Sequence, residues 1–405
     1  MKEVIYKQEE NKVPIKSWVT GLEDGALKQA KNLSNLPFIF KHVALMPDCH
    51  QGYGMPIGGV IATKGYIIPN AVGVDIGCGM CATKTNIRVE DFKTETLKLI
   101  MGEIRKQIPV GFEHNKTACD VIDMPYETRL YKKDFNNSLT PICAQEYDSA
   151  TYQLGTLGGG NHFIEIQKGD DGFIWIMIHS GSRNLGKKVA EYYNKKAEEL
   201  NEEELNEEWF SEVKKDKELA FLPSDSELGK QYLDEMEYCL RFAYLNRYKM
   251  MMTIEHIFKS FISEFTTQQF INIHHNYAAL ENHFGENVWV HRKGATSARV
   301  GEVGIIPGSQ GTSSYIVEGL GNPESFESCS HGAGRRMGRN EAKKNLNLED
   351  EKKKLDDKGI VHGIRNISDL DEASGAYKDI NVVMDNQKDL VKILVKLEPL
   401  GVIKG

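Results

Sequence analysis

An aspartate and a cysteine lie three positions apart, Asp75 and Cys78, and both are common metal ligands. Glycines at 73, 77 and 79 surround them, and glycine lets the backbone adopt positive φ angles and approach an ion closely. A carboxylate and a thiolate so close together suit a divalent metal of intermediate hardness, with imidazoles completing the shell. Apolar residues at 72, 74 and 76 predict that this turn is buried. A buried cysteine more often only packs, so the metal interpretation depends on histidines elsewhere.

Those histidines occur where predicted strands or glycine-rich loops end. His162 closes the loop 155–162, His179 follows the apolar strand 173–178, and either His274 or His275 ends the strand 270–275. Five ligands exceed one tetrahedral site, so either one metal has a crowded shell or two metals share a ligand. The Cys78 thiolate is the natural bridge between two metals. Such a pair would stabilise the attacking and leaving oxygens of a phosphoryl displacement.

Strand geometry distinguishes the two adjacent histidines. Successive side chains of a strand point to opposite faces, so His275 shares an aliphatic face with Ile271 and Ile273, whereas His274 shares the other with Asn272. A metal ligand belongs at the end of the buried face, where packing fixes the imidazole. The pattern therefore predicts His275 as the ligand, unless a bulge at the end of the strand exchanges the two rings.

Two later segments suggest phosphate chemistry. Residues 307–314, a glycine- and serine-rich loop after the strand 303–306, can present backbone amides and hydroxyls to an anion, although glycine-serine turns are common and no Walker motif is present. His331 lies in a loop of small residues followed by arginines at 335, 336 and 339. A neutral imidazole can attack phosphorus to form a phosphoramidate. The alternative is a surface histidine at a helix N-terminus.

The strands and helices predicted around these residues indicate an α+β protein. We expect one domain, 1–405, with mixed and antiparallel sheets around a central metal site and a helical insertion at 187–265. Hydrophobic patterning predicts strands at 60–63, 163–166, 173–178, 270–275, 288–291 and 303–306. It also predicts a strand 38–46 that Pro47 ends, followed by a loop to residue 59. Helices are expected at 25–33, 88–107 and 340–354, a strand or helix at 390–397, and a polar surface segment at 111–149.

General properties of the sequence indicate where the protein is located and what it can bind. The sequence does not start with a basic segment followed by an apolar run, so we do not expect export. It also has no stretch of about 18 consecutive apolar residues, so we do not expect membrane insertion. Seven cysteines without a framework spacing favour a reducing compartment, hence a cytoplasmic location. A net charge of −8 argues against a general nucleic-acid coat protein but allows a local basic groove.

Together these residues resemble one known family, the RtcB-type RNA ligases, in order along nearly the whole chain. The matching segments are 46–52 (Met-Pro-Asp-x-His-Gln-Gly), 73–79 (Gly-Val-Asp-Ile-Gly-Cys-Gly), 158–165 (Gly-x-Gly-Asn-His-Phe-x-Glu), 179–183 (His-Ser-Gly-Ser-Arg), 275–276 (His-Asn), 292–295 (Arg-Lys-Gly-Ala), 307–309 (Pro-Gly-Ser), 331–335 (His-Gly-Ala-Gly-Arg) and 404–405 (Lys-Gly).

The resemblance implies two Mn²⁺ ions, one held by Asp75, Cys78 and His162 and the other by Cys78, His179 and His275. It implies that His331 takes GMP from GTP and passes it to an RNA 3′-phosphate, often derived from a 2′,3′-cyclic phosphate, which a 5′-hydroxyl then attacks. The expected substrates are tRNA halves or cleaved RNA ends, in tRNA splicing or RNA repair. An archease-type activator is an expected partner.

The resemblance also implies a set of nucleotide-binding residues: Asn161, His162, Phe163, Ile164, Glu165, His275, Asn276, Pro307, Gly308, Ser309, Gln310, Ser314, His331, Gly332, Ala333, Gly334 and Lys404. Gln310 departs from the methionine common in this family, a change in the guanylate loop that affects base packing rather than chemistry. RNA contact is expected from the basic residues at 292, 293, 335, 336 and 339.

Two other classes compete with the ligase interpretation. A dinuclear metallohydrolase would account for Asp75, Cys78 and the histidines but would give His331 and Lys404 no role. A nucleotide-binding regulatory module would account for the loop 307–314 but not for a cluster of metal ligands. Labelled GTP with Mn²⁺ distinguishes the three, because only the ligase forms an acid-labile protein–GMP adduct.

Overall fold

The computed structural model describes residues 1–125, 141–203 and 217–405. Within these ranges the α-helices are α1 (Asp24–Ser34), α2 (Pro69–Val72), α3 (Thr94–Gln107), α4 (Pro141–Gln153), α5 (Asn184–Glu203), α6 (Glu227–Phe261), α7 (Arg339–Asn345), α8 (Leu348–Asp356) and α9 (Ile380–Asp385). Among these helices none has both the length and the apolar character needed to cross a membrane.

The strands of the same ranges are β1 (Glu3–Ile5), β2 (Ile15–Ser17), β3 (Ile39–Tyr53), β4 (Met55–Thr63), β5 (Tyr66–Ile67), β6 (Gly79–Arg88), β7 (Phe163–Gly169), β8 (Phe173–Ser180), β9 (Leu222–Pro223), β10 (Thr267–His274), β11 (Asn276–His283), β12 (Glu286–Lys293), β13 (Ala295–Ser297), β14 (Val303–Ile306), β15 (Ser314–Gly319), β16 (Ser328–Ser330) and β17 (Val391–Lys404).

A seven-stranded antiparallel sheet, in the order β10-β6-β8-β7-β17-β15-β14, forms the centre of the fold. Its edge strands β10 and β14 contact each other, so the sheet curls into a nearly closed barrel. Inward-facing side chains from every one of these strands form one cluster: Met80, Ala82, Phe163, Trp175, Met177, Ile271, Ile305, Ile316 and Leu397. Because side chains alternate, the outward-facing ones pack instead against α3 and α6.

A second, six-stranded sheet has the order β1-β2-β3-β4-β12-β11 and is mixed, because β2 and β3 are parallel while the other neighbours are antiparallel. Two small sheets pair β5 with β9 and β13 with β16. The predicted α+β class with mixed and antiparallel sheets is therefore confirmed.

Several predicted elements have different bounds. The strand expected to end at Pro47 continues as β3 to Tyr53, so most of the expected loop is a β3–β4 hairpin; shifts in register after Leu45 and His50 accommodate its proline and glycine. The charged helix 340–354 is two helices, since Leu346 is extended and Asn347 caps α8. The expected helix 88–107 begins only at Thr94, and 390–397 belongs to strand β17.

The region 187–265 contains most of α5 and all of α6, but its acidic residues at 204, 207 and 208 lie outside the described residues, as do 126–140 of the polar segment 111–149. The helix α6 packs directly on the barrel through Met250, Met251 and Ile254. Whether 187–265 is an insertion stays a prediction.

Candidate active site

The predicted metal ligands meet at one end of the barrel because its strands are antiparallel. Cys78 directly precedes β6 and His162 directly precedes β7, whereas His179 lies near the end of β8 and His275 directly follows β10. Neighbouring antiparallel strands place the start of one beside the end of the next. The register does so here, since Met80 and Phe163 both pair with His179 and Gly79 pairs with His274.

The ligand atoms lie within a few ångströms of one another. The Sγ atom of Cys78 is 3.5 Å from His162 Nε2 and 3.3 Å from His179 Nε2. His179 Nε2 is 3.4 Å from His275 Nε2, and His162 Nε2 is 3.4 Å from Asp75 Oδ2. These atoms form two triads, Asp75–Cys78–His162 and Cys78–His179–His275, each with all its ligand atoms within 4.8 Å of one another. Both triads contain Cys78, as a bridging thiolate requires.

The surroundings of these side chains fit a metal. The Nδ1 atoms of His162 and His179 lie 3.0 Å and 3.1 Å from the carbonyl oxygens of Leu157 and Asn161. Donation to those carbonyls places the ring proton on Nδ1 in both histidines. The lone pair of each Nε2 atom is then available to bind a metal. Burial lowers the pKa of His179 and of His275 well below the usual range, which favours the neutral, ligating imidazole. Burial likewise raises the pKa of the Cys78 thiol, so a metal would displace its proton.

The Asp75–Cys78 segment is a tight turn between α2 and β6. Gly73 and Gly77 adopt φ angles of 97° and 80°, which favour glycine, and the Cys78 amide donates to the Asp75 carbonyl at 3.0 Å. The turn is not buried throughout as predicted: Val74 is 51% exposed, because its side chain points outward from the turn. Burial would raise the pKa of the Asp75 carboxyl, but His162 holds it below its usual value.

His275 and His274 diverge as the alternation argument expects. His275 is buried in the cluster, whereas His274 Nδ1 lies 3.2 Å from the Gly77 carbonyl and 3.2 Å from Arg247 Nη2, on the other side of the strand. Of the two rings, only His275 belongs to a ligand triad among the described residues. Its binding of a metal stays a prediction.

His331 follows β16 and is held by a buried aspartate from β3. Its Nδ1 lies 2.6 Å from Asp48 Oδ2, and its backbone N–H donates to the same oxygen at 3.1 Å. If Nδ1 donates to this carboxylate oxygen, the neutral imidazole keeps its lone pair on Nε2. The ring centroid of His331 is 4.8 Å from that of His275, which places the imidazole beside the ligand cluster.

A cavity of about 710 Å³ opens in front of His331 and His179. Most of the predicted nucleotide-binding residues line it: Asn161, Phe163, Glu165, Pro307, Gly308, Ser309, Gln310, His331, Gly332, Ala333, Gly334 and Lys404. Gly334 adopts a φ of 74°, and a Cβ atom there would lie 2.2 Å from the Asp48 carbonyl oxygen. The loop after His331 therefore packs closely on β3 and shapes the cavity.

Other predicted nucleotide-binding residues lie outside this lining. Ile164 points to the opposite face of β7 and packs in the outer cluster with Ile178. The Asn276 amide bridges the carbonyl of Asp75 (3.0 Å) and the amide of Gly294 (2.8 Å), and the Ser314 hydroxyl accepts from the Gly308 amide at 3.1 Å. Asn276 and Ser314 thus fix loops around the cavity. His162 and His275 belong to the cluster of candidate metal ligands behind it.

Two ionisable side chains, Glu165 and Lys404, line the cavity. Burial raises the pKa of Glu165 to about 8, and the Gln167 amide donates to this carboxyl group at 2.6 Å. Lys404 pairs with Phe163 between β17 and β7, and its Nζ lies 5.6 Å from that ring's centroid. Burial lowers the pKa of Lys404. The chain's last strand therefore brings a cation to the same side of the cavity as Glu165.

Sequence reasoning missed several residues that shape the cavity. Asp48 appeared only within the segment 46–52, with no role assigned. Glu372 was not singled out, yet its carboxylate accepts from Arg339 Nε at 2.9 Å, lies 3.1 Å from Arg335 Nη1, and binds the Tyr377 hydroxyl. The arginines themselves were the available signal, because a largely buried cation such as Arg335 is usually paired with a carboxylate.

Comparisons with known proteins agree with this geometry. The family model for the tRNA-splicing ligase RtcB matches residues 29–405. The RNA-splicing ligase RtcB of Escherichia coli is 40% identical over 411 residues, covering 97% of each chain. The tRNA-splicing ligases RtcB of Nanoarchaeum equitans and Thermococcus kodakarensis are 32% and 31% identical, each alignment covering 95% of this chain and 92% of the relative. With the match extending over nearly its whole length, the chain belongs to the RtcB family of RNA-splicing ligases.

Proposed function

We propose that this protein is a GTP-dependent RNA ligase that joins a 3′-phosphate or 2′,3′-cyclic phosphate end to a 5′-hydroxyl end. The observation on which this depends is His331, an imidazole hydrogen-bonded to a buried carboxylate, facing a cavity beside two metal-ligand triads. A hydrolase would use the triads alone. A histidine so placed has a further use as a nucleophile.

In the proposed first step, His331 Nε2 attacks the α-phosphorus of GTP. An N–P bond forms, the bond from the α-phosphorus to the bridging oxygen breaks, and pyrophosphate leaves. Asp48 orients the ring through Nδ1 and stabilises the positive charge that develops on it. Two Mn²⁺ ions bound by the triads would neutralise charge on the phosphoryl oxygens during the displacement.

The later steps transfer the nucleotide to RNA. An oxygen of the RNA 3′-phosphate attacks the phosphorus of the histidine adduct, the N–P bond breaks, and an RNA–GMP anhydride forms. The 5′-hydroxyl of the second RNA then attacks the 3′-phosphorus and GMP leaves. A cyclic phosphate end first needs hydrolysis to the 3′-phosphate.

Within the cavity, Glu165 and Lys404 are proposed to contact the guanine base, and the loops at 307–309 and 332–334 the sugar and phosphate. Gln310 is held in place by donation to the Glu372 carbonyl at 2.9 Å. The proposed substrates are tRNA halves or cleaved RNA ends in the cytoplasm. A requirement for an archease-type activator stays a prediction.

The test is adduct formation with GTP labelled either at the α- or at the γ-phosphate, in the presence of Mn²⁺. The proposal expects acid-labile labelling from the α-labelled nucleotide only, and none in His331→Gln. Stable binding without covalent label would favour a regulatory module, and release of phosphate without label would favour a hydrolase. Sealing of RNA pairs bearing each combination of 3′ and 5′ ends then tests the complete reaction.

A further inference from the structure

Two adjacent residues of the long helix α6, Asn246 and Arg247, are fully buried and contact the segments that carry the metal ligands. Neither belongs to a ligand triad or lines the cavity. Burying a guanidinium is costly unless it is paired or fully hydrogen-bonded. No carboxylate forms an ion pair with Arg247 within the described part of the chain, so its hydrogen bonds need an explanation.

Arg247 donates to neutral acceptors, and these lie on the segments that carry the predicted ligands. Its Nη1 donates to the carbonyl oxygens of Gly77 (3.0 Å) and Ser180 (2.9 Å), the neighbours of Cys78 and His179. Its Nε donates to the Asn272 side chain at 2.7 Å on strand β10, the strand that leads to His275. One guanidinium thus ties three ligand-bearing segments to the helix.

Asn246 does the same for the fourth segment. Its Oδ1 accepts from the amides of Gly155 (2.7 Å) and Thr156 (3.1 Å), and its Nδ2 donates to the Thr156 carbonyl at 3.1 Å. This loop continues to Leu157, whose carbonyl accepts from His162 Nδ1. The same Nδ2 lies 3.1 Å from Ser180 Oγ and donates to the Gly181 carbonyl at 3.1 Å.

The helix approaches the metal-binding turn very closely. A Cβ atom at Gly77 would lie 3.0 Å from the Cys239 carbonyl oxygen of α6. The turn and the helix therefore have no room between them for a larger side chain at this position. A displacement at positions 246 and 247 would be transmitted to Cys78, His179 and His162 together.

We propose that Asn246 and Arg247 are positioning residues of the metal site, which hold the four ligand-bearing segments in one arrangement without touching metal or nucleotide. This rests on the metal site of the proposed function. Residues that orient ligands in this way typically contribute about 10- to 100-fold to metal affinity. The same loss is expected here.

The test measures Mn²⁺ binding to metal-stripped protein by isothermal titration calorimetry, with the thermal midpoint recorded with and without Mn²⁺. The variants are Arg247→Met, which keeps an unbranched apolar stem but removes the donors, Arg247→Lys, and Asn246→Ser. Ile254→Ala is the matched control, because Ile254 is buried on the same helix but packs only in the outer cluster.

We expect the Arg247 and Asn246 variants to have a dissociation constant for Mn²⁺ that is about 10- to 100-fold higher. They should also lose most of the rise in thermal midpoint that Mn²⁺ induces. Ile254→Ala should lower the midpoint with and without Mn²⁺ while its Mn²⁺ affinity stays that of the wild type. Wild-type affinity in Arg247→Met and Asn246→Ser would overturn the proposal. So would failure of both Arg247→Lys and Asn246→Ser to fold, since the pair would then serve the fold itself. A wild-type protein that binds no Mn²⁺ would instead overturn the proposed function.

Discussion

Replacing Asp48 by asparagine isolates the charge behind the proposed nucleophile. The aspartate accepts two hydrogen bonds through Oδ2, from the ring of His331 at 2.6 Å and from its backbone amide at 3.1 Å. Its other oxygen, Oδ1, has no hydrogen-bond partner in the described part of the chain and lies against Gly58. An asparagine that keeps its oxygen towards His331 preserves both bonds but loses the charge. One that turns its amide towards Nδ1 instead forces the proton onto Nε2.

The magnitude follows from the charge that develops on the ring during attack. A hydrogen bond to a charged group contributes about 1 kcal/mol more than a neutral one. Unit charges about 4 Å apart at an effective dielectric constant of about 20 attract by about 4 kcal/mol, an upper value because charge transfer is partial in the transition state. A loss of about 2–4 kcal/mol corresponds to about 30- to 1,000-fold slower formation of the histidine adduct.

The assay follows the first-order appearance of protein-bound label from α-labelled GTP at saturating nucleotide and Mn²⁺. His331→Gln sets the zero of the assay. Cys49→Ala controls for disturbance of strand β3, because Cys49 is the next residue, is fully buried, and lies on the opposite face of the strand. Labelling of Asp48→Asn at the wild-type rate would refute the role of the carboxylate, as would an equal slowing of Cys49→Ala.

Four further predictions test the remaining parts of the site. Cys78→Ala should lose both metals because its thiolate belongs to both triads, and two equivalents of Mn²⁺ by elemental mass spectrometry would show that it only packs. His275→Ala should lose one Mn²⁺ and ligation, whereas His274→Ala should keep both metals; the opposite result would mean that the other ring is the ligand. Deleting Lys404 and Gly405 should slow adduct formation without lowering the thermal midpoint, with Lys404→Met separating the lost cation from the shortened strand; full activity of both would exclude a role for the cation. Because burial raises the pKa of Glu165 to about 8, its carboxyl is protonated below that pH and ionised above it. The affinity for GMP should therefore rise from pH 6.5 to 8.5 in the wild type and stay constant in Glu165→Gln, and a similar rise in both would assign the titration elsewhere.

Local patterns predicted the ligand segments because each was visible in a few consecutive residues. The strand β14 has the predicted bounds, and the apolar run 173–178 lies within β8, an interior strand of the seven-stranded sheet. Once these strands pair in antiparallel register, His162 and His179 must lie at the same end. The two-residue period of a strand also placed His275 and His274 on opposite sides. For these residues, the local sequence pattern and the geometry of strands were sufficient to predict where the side chains lie.

The partner of His331 could not be found in this way. Asp48 lies 283 positions away in the sequence, on β3 of the six-stranded sheet, whereas His331 follows β16 of a two-stranded sheet, and their contact depends on how these two sheets pack. The predicted stop at Pro47 also hid it, since the residue was assigned to a loop. Proline lacks an amide donor and usually ends pairing, but register shifts in β3 allow the strand to continue past it. Local propensity does not report such compensation.

The charged side chains at the cavity bear on why the proposed nucleotide would need the proposed metals. The cations that line it are Arg335, Arg336, Arg339 and Lys404, and the carboxyl groups are Glu23, Glu165, Glu341 and Glu372. Four of each balance when Glu165 is ionised, and Glu372 is already bonded to Arg339 and paired with Arg335. A triphosphate, with several negative charges, therefore gains little from the side chains alone. Metal ions held by the triads, as in the proposed function, would add positive charge behind the cavity, so the overall charge of −8 is compatible with the proposed binding of GTP and RNA. In the proposed reaction, recognition of the triphosphate would therefore depend on the loaded metal centre more than on the basic residues.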